Sequence, residues 1–228
     1  TNTAPVQHLW RVLEPRVEGV RRELAAEFGC DPEEIAITRN ASEAMEILIS
    51  GLSLRPDDEV IVSTQNYDRM LTAWDQRARR DGVIVRKVSF PLPASDTDIL
   101  TVVQSAITPR TRVIELPHLT NWTGQPVPIS EVIAMAGPLG IEVFVDGAQT
   151  FAHTPVSRDS LGCDYYATSL HKWLLAPLGT GFLYVRREKI GDLWPLMAAT
   201  EDKRGDIRKF EEIGTHPAAP HNAIAVSY

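Results

Sequence analysis

The sequence is short of cysteine, of long apolar runs and of clustered basic residues. Its two cysteines, Cys30 and Cys163, lie far apart and outside any CxxC pair, which excludes a zinc ribbon and a thioredoxin-like redox site. No run approaches the roughly 20 apolar residues that a membrane span requires. Asp and Glu number 30 against 23 Lys and Arg, for a net charge of −7, and the densest basic group, Arg77, Arg79 and Arg80, fits a solvated helix face. We therefore expect neither a membrane nor nucleic acid as a partner.

Common catalytic patterns are missing as well. There is no GxSxG nucleophile elbow and no GxGxxG turn after a first strand, which argues against a serine hydrolase and a dinucleotide enzyme. The histidines lack a metal-ligand spacing such as HExxH, which argues against a metal hydrolase; they include His153, His171, His216 and His221.

The chain is long enough to bury roughly 70% of the surface that its unfolded form exposes, so it needs no disulfide or metal to fold.

Short β-branched runs alternate with helical stretches after an initial amphipathic helix. The predicted strands are residues 35–38, 59–63, 83–88, 112–116, 141–146, 164–168 and 181–185. The predicted helices lie near residues 42–52, 68–81, 97–107, 130–136 and 187–194. Strands separated by helices indicate βαβ units, and continuous apolar strands indicate a sheet that is buried on both faces. The sequence therefore predicts an α/β protein with a largely parallel sheet.

Polar residues follow several of these strands, where open α/β sheets bind their ligands. The turn around Asn40 and Ser42 precedes a helix, so its free N–H groups and the Ser42 hydroxyl could hold an anion; the alternative is a capping box between Asn40 and Glu43. Asp146 ends a buried strand, where a carboxylate needs a cationic partner such as a protonated ring nitrogen. A turn or N-cap aspartate is the alternative.

Lys172 is flanked by Leu170, Trp173 and Leu174. Poor solvation favours the neutral, nucleophilic form of a lysine, which suits Schiff-base chemistry. The alternative is a surface lysine whose charged end reaches water.

Two more candidates follow other strands. Tyr67 could stack on a planar ligand, although a tyrosine of the core or its rim is common. The amide of Asn121 could hold a ring hydroxyl, although its loop could be only a turn. Together the candidates suit a flat, phosphorylated ligand that bears an aldehyde, and pyridoxal phosphate has each of these features.

Six motifs occur in a fixed order along the chain: TRNASEA, NYDRM, LTNWTG, VDGAQ, ATSLHKWLLAPLGTGFLYV and EEIGTHPAAPHNAIA. In this order they resemble the class V aminotransferases, which are fold type I pyridoxal-phosphate enzymes. Within that family the resemblance is to the isopenicillin N epimerase-like and cysteine desulfurase-like branch. It runs over nearly the whole chain and implies the large domain of such an enzyme, with a mainly parallel, mixed central sheet and helices on both faces.

The resemblance implies roles at the cofactor ring. Lys172 would form the Schiff base with pyridoxal phosphate, Asp146 would pair with the pyridinium nitrogen, and Tyr67 would stack on the ring. Asn121 and Gln149 would approach the ring hydroxyl.

The resemblance also implies a phosphate site and a dimer. Ala41, Ser42, Ser169 and His171 would hold the phosphate of the cofactor. Thr215 would reach the phosphate of the neighbouring subunit, which implies a homodimer.

The implied reaction is chemistry at the Cα of an amino acid or amine, most like that of an isopenicillin N epimerase. The alternatives are a cysteine desulfurase or C–S lyase, a true transaminase, or an inactive fragment that only binds cofactor or a partner chain. Neither Cys30 nor Cys163 occupies the position of a desulfurase loop cysteine. That cysteine and the arginine for the substrate carboxylate would lie outside this chain.

The resemblance divides the chain into three parts. Residues 1–30 would form an entry helix, 31–199 the α/β cofactor domain, and 200–228 a segment that crosses toward a small C-terminal domain, which we expect to be missing. The amphipathic pattern begins almost at once and there is no initiating Met, which indicates a fragment. We expect a cytoplasmic protein; any export signal would lie upstream of Thr1.

Overall fold

A mixed sheet of seven strands forms the centre of the molecule in the computed structural model, which describes residues 4–227. The strands are β1 (Ile35–Thr38), β2 (Glu59–Ser63), β3 (Ile84–Val88), β4 (Thr111–Pro117), β5 (Glu142–Asp146), β6 (Tyr165–Ser169) and β7 (Gly181–Val185). Their order is β1-β7-β6-β5-β4-β2-β3. Only the pairings of β7 with β1 and β6 are antiparallel among the described strands. The predicted strands are confirmed to within a residue at each end.

Helices precede, connect and follow these strands. They are α1 (Pro5–His8), α2 (Glu14–Phe28), α3 (Ala41–Gly51), α4 (Asp68–Asp81), α5 (Asp96–Ala106), α6 (Ile129–Ala136), α7 (Arg158–Leu161), α8 (Arg187–Ile190) and α9 (Ala219–Ala223). A π-helical turn, Leu9–Leu13, joins α1 to α2. Helix α2 ends at Gly29, whose φ of 75° lies in the left-handed region that favours glycine. Helix α5 begins with a capping box formed by Ser95 and Asp98.

Apolar layers cover both faces of the sheet. Because side chains alternate along a strand, Ile114 of β4 packs in the layer that contains residues of α2, α5 and α6. Its neighbour Val113 packs in the opposite layer, with Met45 of α3 and Trp74 of α4. The expected α/β architecture with helices on both faces is therefore confirmed. Among residues 4–227, no helix combines the length and the apolar character that crossing a membrane demands.

Arg77 contradicts the expected solvated helix face, because it is only 5% exposed. Its guanidinium donates to the carbonyl groups of Ile49 and Leu52 at the end of α3 and forms an ion pair with Asp81 at 2.9 Å. The last carbonyl groups of a helix have no partner within it, and Arg77 on the inner side of α4 satisfies two of them. Arg80 and Arg79 are exposed, as predicted.

The last part of the chain contains short helical turns, Glu201–Lys203, Ile207–Glu211 and Ile224–Ser227, besides α9. Phe210 is buried in the layer over α3 and α4. The carboxylate of Glu211 accepts from the Ile37 N–H at 2.6 Å and pairs with Arg21. This segment is therefore fastened to β1 and α2 along its first half. The predicted three-part division remains a prediction, and residues 1–3 and 228 lie outside the described part.

The helix predicted near residues 187–194 is wrong in length, because α8 ends at Ile190. The backbone leaves the helix at Gly191, and the Trp194 N–H donates to the carbonyl of Gly51 at 3.0 Å. Pro195 follows and could not continue a helix there.

Candidate active site

A cavity of about 290 Å³ lies at the carboxyl edge of the sheet. Strands β2, β4, β5 and β6 are parallel, and β1 runs with them because both β1 and β6 are antiparallel to β7. Residues that follow these strands therefore meet at one edge. Every site residue predicted from the sequence except Thr215 lines the cavity: Ala41, Ser42, Tyr67, Asn121, Asp146, Gln149, Ser169, His171 and Lys172.

The turn before α3 forms one wall. The Asn40 side chain caps the helix by accepting from the Glu43 N–H at 2.8 Å. The predicted capping box is only half formed, because the Glu43 carboxylate accepts from the Arg39 N–H at 2.6 Å instead. The Ala41 N–H donates to Ser169 Oγ at 2.8 Å. The N-terminus of an 11-residue helix is thus held against the end of β6, and its dipole favours an anion in the cavity.

Gly181 allows this wall to form. A Cβ built on Gly181 would lie 2.6 Å from the carbonyl oxygen of Thr168 and 2.7 Å from the Cα of Asn40. Both atoms belong to the backbone, so they could move away only if the main chain were displaced. Glycine therefore lets β7 lie directly behind the turn before α3. Gly181 is not among the site residues predicted from the sequence, although its place in the GTGFLYV run is a signal.

A second glycine fixes the turn that follows β5. A Cβ on Gly147 would overlap the ring of Tyr166. The Gly147 carbonyl accepts from the hydroxyl groups of Tyr166 at 3.2 Å and Thr168 at 3.1 Å, and its N–H donates to the carbonyl of Ala167 at 2.8 Å. Strand β6 therefore holds the backbone between Asp146 and Gln149, two residues that line the cavity.

Asp146 ends β5 and is half-buried. Its Oδ1 accepts from the Ala148 N–H at 2.9 Å, which leaves Oδ2 for a partner. Burial raises the pKa of Asp146, while the Ala148 N–H and the charge of Lys172 act in the opposite direction. Lys172 is also half-buried and lines the same cavity. A further cation in the cavity would stabilise the ionised carboxylate.

Tyr67 precedes α4, lines the cavity and is 43% exposed. Hydrogen bonds to the residues beneath it fix the turn that carries Tyr67. Asn66 Oδ1 accepts from the Ser63 hydroxyl at 2.8 Å, and Asn66 Nδ2 donates to both the carbonyl oxygen and Oε1 of Glu115 at 3.1 Å. Trp74 Nε1 donates to the other carboxyl oxygen of Glu115.

Glu115 is fully buried beneath this turn. Burial raises the pKa of Glu115 to about 8; the Trp74 N–H lowers it, the nearby charge of Asp146 raises it, and the Asn66 amide lowers it. Glu115 is not among the residues predicted from the sequence, where its only signal is a glutamate inside an apolar strand.

Asn121 is exposed in the loop after β4. A backbone bridge between Leu119 and Pro126 closes this loop, and the Thr120 N–H donates to the carbonyl of Gln125 at 3.0 Å. His118 begins the loop, and its N–H donates to the carbonyl of Asp146 at 2.9 Å. The loop is therefore attached to the end of β5.

Thr215 is the predicted site residue that the cavity does not include. It is exposed, in the segment between Glu211 and α9. Its predicted role at the phosphate of a neighbouring subunit remains a prediction.

The cysteines lie in the apolar layer that contains α2. Cys163 is fully buried and Cys30 is half-buried against the same layer. Burial raises the pKa of each thiol to about 12. Neither cysteine lines the cavity, so neither supplies a thiolate there.

Known proteins resemble this chain in sequence and in fold. The aminotransferase class-V family matches residues 4–217. The chain is 34% identical over 195 residues to the isopenicillin N epimerase of Amycolatopsis lactamdurans, an alignment that covers 84% of this chain and 49% of the relative. It is 32% identical over 184 residues to a cysteine desulfurase of Klebsiella pneumoniae, covering 79% of this chain and 45% of the relative.

Solved structures of related enzymes superpose on this chain. A mutant of C-DES with glycine covalently linked to the PLP cofactor superposes with a TM-score of 0.87 at 27% identity, covering 95% of this chain and 60% of that one. The cysteine desulfurase CsdA of Escherichia coli superposes with a TM-score of 0.84 at 28% identity, covering 95% and 57%.

The chain belongs to the class V aminotransferase family, as the motif order indicated. The expected fold type I architecture is confirmed by the superposition on C-DES. Pyridoxal phosphate, the predicted cofactor, is confirmed as the cofactor of this family. The chain spans about half the length of the curated relatives that it matches.

Proposed function

We propose that this chain binds pyridoxal phosphate in the cavity and acts at the Cα of an amino acid or amine, with Lys172 as the residue that bonds covalently to the cofactor aldehyde. The observation that supports this most is one cavity lined by a half-buried amine, Lys172, a carboxylate, Asp146, and an aromatic ring, Tyr67. Bound to such a site, pyridoxal phosphate withdraws electrons from the Cα of an amine that is bonded to it.

The donor set fits the phosphate. The N-terminus of α3 offers its backbone dipole and the Ser42 hydroxyl, and Ser169 and His171 line the same part of the wall. Gly181 keeps the backbone behind this turn close. A dianionic phosphate would gain from these donors because the Asn40 cap fixes the first turn of α3 and the Ala41 N–H holds Ser169 against it.

The residues at the opposite end fit the ring. Asp146 would accept a hydrogen bond from a protonated ring nitrogen at Oδ2, because Ala148 already occupies Oδ1. The Tyr67 ring would cover one face. Once a substrate amine has taken its place, the freed Nζ of Lys172 would remove or return the proton at Cα as a general base or acid.

An epimerase-like reaction is our first choice, since two isopenicillin N epimerases align over 84% of the chain at 33–34% identity. Inversion would remove the Cα proton on one face and add a proton on the other, so each face would need an acid–base group, and Lys172 would be one of the two. C–S lyase chemistry is the second candidate, supported by the likeness to C-DES, which is described as a cystine C-S lyase. Persulfide chemistry on a protein cysteine has no thiol in this cavity.

We also propose a homodimer in which Thr215 of each subunit approaches the cofactor phosphate of the other. The support is its exposed position in the segment that follows the Glu211 anchor on β1.

The reaction can be assigned with a panel of amino acids assayed for loss of optical activity, for keto acid and for sulfide. We expect loss of optical activity with at least one substrate, and we expect Lys172→Ala to abolish it. Lys87→Ala is the matched control, because Lys87 pairs with Asp75 and neither residue lines the cavity. Full activity in Lys172→Ala would contradict the proposal, while keto acid or sulfide as the sole product would reassign the reaction.

A further inference from the structure

We infer that Trp173 and His153 are positioning residues that hold the side-chain amide of Gln149 with its NH₂ group toward the cavity. This inference rests on the proposed function, because the group that receives the NH₂ donor is the ring hydroxyl oxygen of the cofactor.

The orientation of the amide follows from its neighbour. Trp173 Nε1 lies 3.0 Å from Gln149 Oε1. An indole N–H can only donate, so the atom that faces it must be the amide oxygen. The other end of the amide, Nε2, is then the end left for the cavity, which Gln149 lines.

Trp173 itself is held in place by a ring stack. The ring is 45% exposed, so burial alone does not fix its rotamer. The imidazole of His153 lies parallel to it, with ring centroids 3.7 Å apart and an interplanar angle of 6°. His153 Nδ1 lies 2.9 Å from the backbone carbonyl of Gln149; a carbonyl only accepts, so Nδ1 carries the proton.

The contacts form a closed unit of three residues. The Gln149 backbone holds His153, His153 holds the plane of Trp173, and Trp173 holds the Gln149 side chain. Trp173 also follows Lys172 directly in the chain, so the unit fixes the amide relative to the amine. An amide turned the other way would place its oxygen against an electron-rich ring oxygen and repel it.

The test compares variants of the protein, expressed from its full coding sequence, by the affinity of the apoprotein for pyridoxal phosphate and by the absorption spectrum of the bound cofactor. Trp173→Phe removes the N–H donor and keeps a ring for His153. We expect about fivefold weaker binding, the usual value of one neutral hydrogen bond, and a spectrum shifted toward the neutral ring hydroxyl. Trp194→Phe is the control, because Trp194 is 69% exposed and does not line the cavity.

Two further variants separate positioning from simple packing. Gln149→Glu keeps an oxygen for the Trp173 N–H but turns another oxygen to the cavity, so it should bind the cofactor more weakly than Gln149→Ala. Adding Trp173→Phe to Gln149→Ala should weaken binding no further, because the donor acts only through the amide.

The outcomes distinguish failure of the positioning role from failure of the proposed function. If Trp173→Phe binds and absorbs like wild type, or if its effect adds fully to that of Gln149→Ala, the positioning role is overturned while the proposed function stands. If wild type itself fails to bind the cofactor, the proposed function and this inference fall together. Weaker binding and a changed spectrum in Trp173→Phe alone among the tryptophan variants support the inference.

Discussion

Gly181 lies so close behind Asn40 that a Cβ on the glycine would come within 2.7 Å of the asparagine Cα. The residue that caps α3 and the residue that begins β7 are thereby forced into backbone contact at the wall of the cavity. The turn that we propose as the phosphate site depends on this contact.

Gly181→Ala should therefore push the turn before α3 out of place. We expect a loss of about 1–3 kcal/mol in the free energy of unfolding and weaker binding of pyridoxal phosphate. Gly205→Ala is the matched control, because a Cβ at Gly205 meets no atom within 4 Å. Denaturant melts and cofactor titration of both variants measure the two effects. Equal behaviour of the two variants would show that the close approach has no consequence.

Glu115 should make the stability of the protein depend on pH. Its pKa is about 8 in the folded chain and about 4.3 for an ordinary glutamate, so between these values the folded state binds more protons than the unfolded state. Stability from this group is therefore complete below about pH 4 and falls as the pH rises toward about 8.

Glu115→Gln removes this titration while keeping the size of the side chain. Denaturant melts between pH 5 and 8.5 should show a shallower fall for Glu115→Gln than for wild type, and exposed Glu131→Gln should follow wild type. The slope is the test, because the variant also loses an acceptor for Trp74 or Asn66 and is expected to be less stable throughout. Identical slopes would mean that Glu115 stays ionised in the fold.

Asp146→Asn should keep the cofactor but lose most turnover. An amide at this position cannot hold a proton on the ring nitrogen, whereas the phosphate donors at α3 are untouched. Steady-state kinetics and cofactor content measure the two properties separately. Asp192→Asn is the control, because Asp192 is exposed after the end of α8 and does not line the cavity; unchanged turnover in Asp146→Asn would remove the ring-nitrogen role.

Thr215 can be tested by mixing subunits. Thr215→Ala should weaken cofactor binding, and Lys172→Ala should abolish activity. A hybrid dimer of the two contains one site with its own Lys172 and the partner's unchanged threonine. We therefore expect activity to return when the variants are unfolded together and refolded, to about a quarter of wild type for random pairing. If no activity is regained, or if light scattering shows a monomer, the intersubunit role is wrong.

The strands and the edge where the site lies could be predicted from the sequence because they depend on local patterns. Apolar runs mark β1 to β7, and a residue that follows a parallel strand must lie at the carboxyl edge. Asp146 and Lys172 were found in this way. The ligand could be predicted from the combination of residue types at that edge.

Contacts between residues that lie far apart in the sequence could not be predicted in the same way. Arg77 looks like one of several basic residues on α4, and only the fold brings it against the end of α3. Glu115 and Asn66 are 49 positions apart, and the close approach of Gly181 to Asn40 likewise joins residues far apart in the sequence. The proposed role of Thr215 would need a second subunit, and the fold of one chain does not show where a second subunit lies.

Peptide mapping after borohydride reduction tests the central claim most directly. The protein, purified with pyridoxal phosphate, is reduced, digested and analysed by mass spectrometry. We predict that the mass of the reduced cofactor is found on the peptide that contains Lys172, and that this peptide is unmodified when the cofactor is omitted. Modification confined to other lysines, or an unmodified Lys172 in protein that retains the cofactor, would contradict the account.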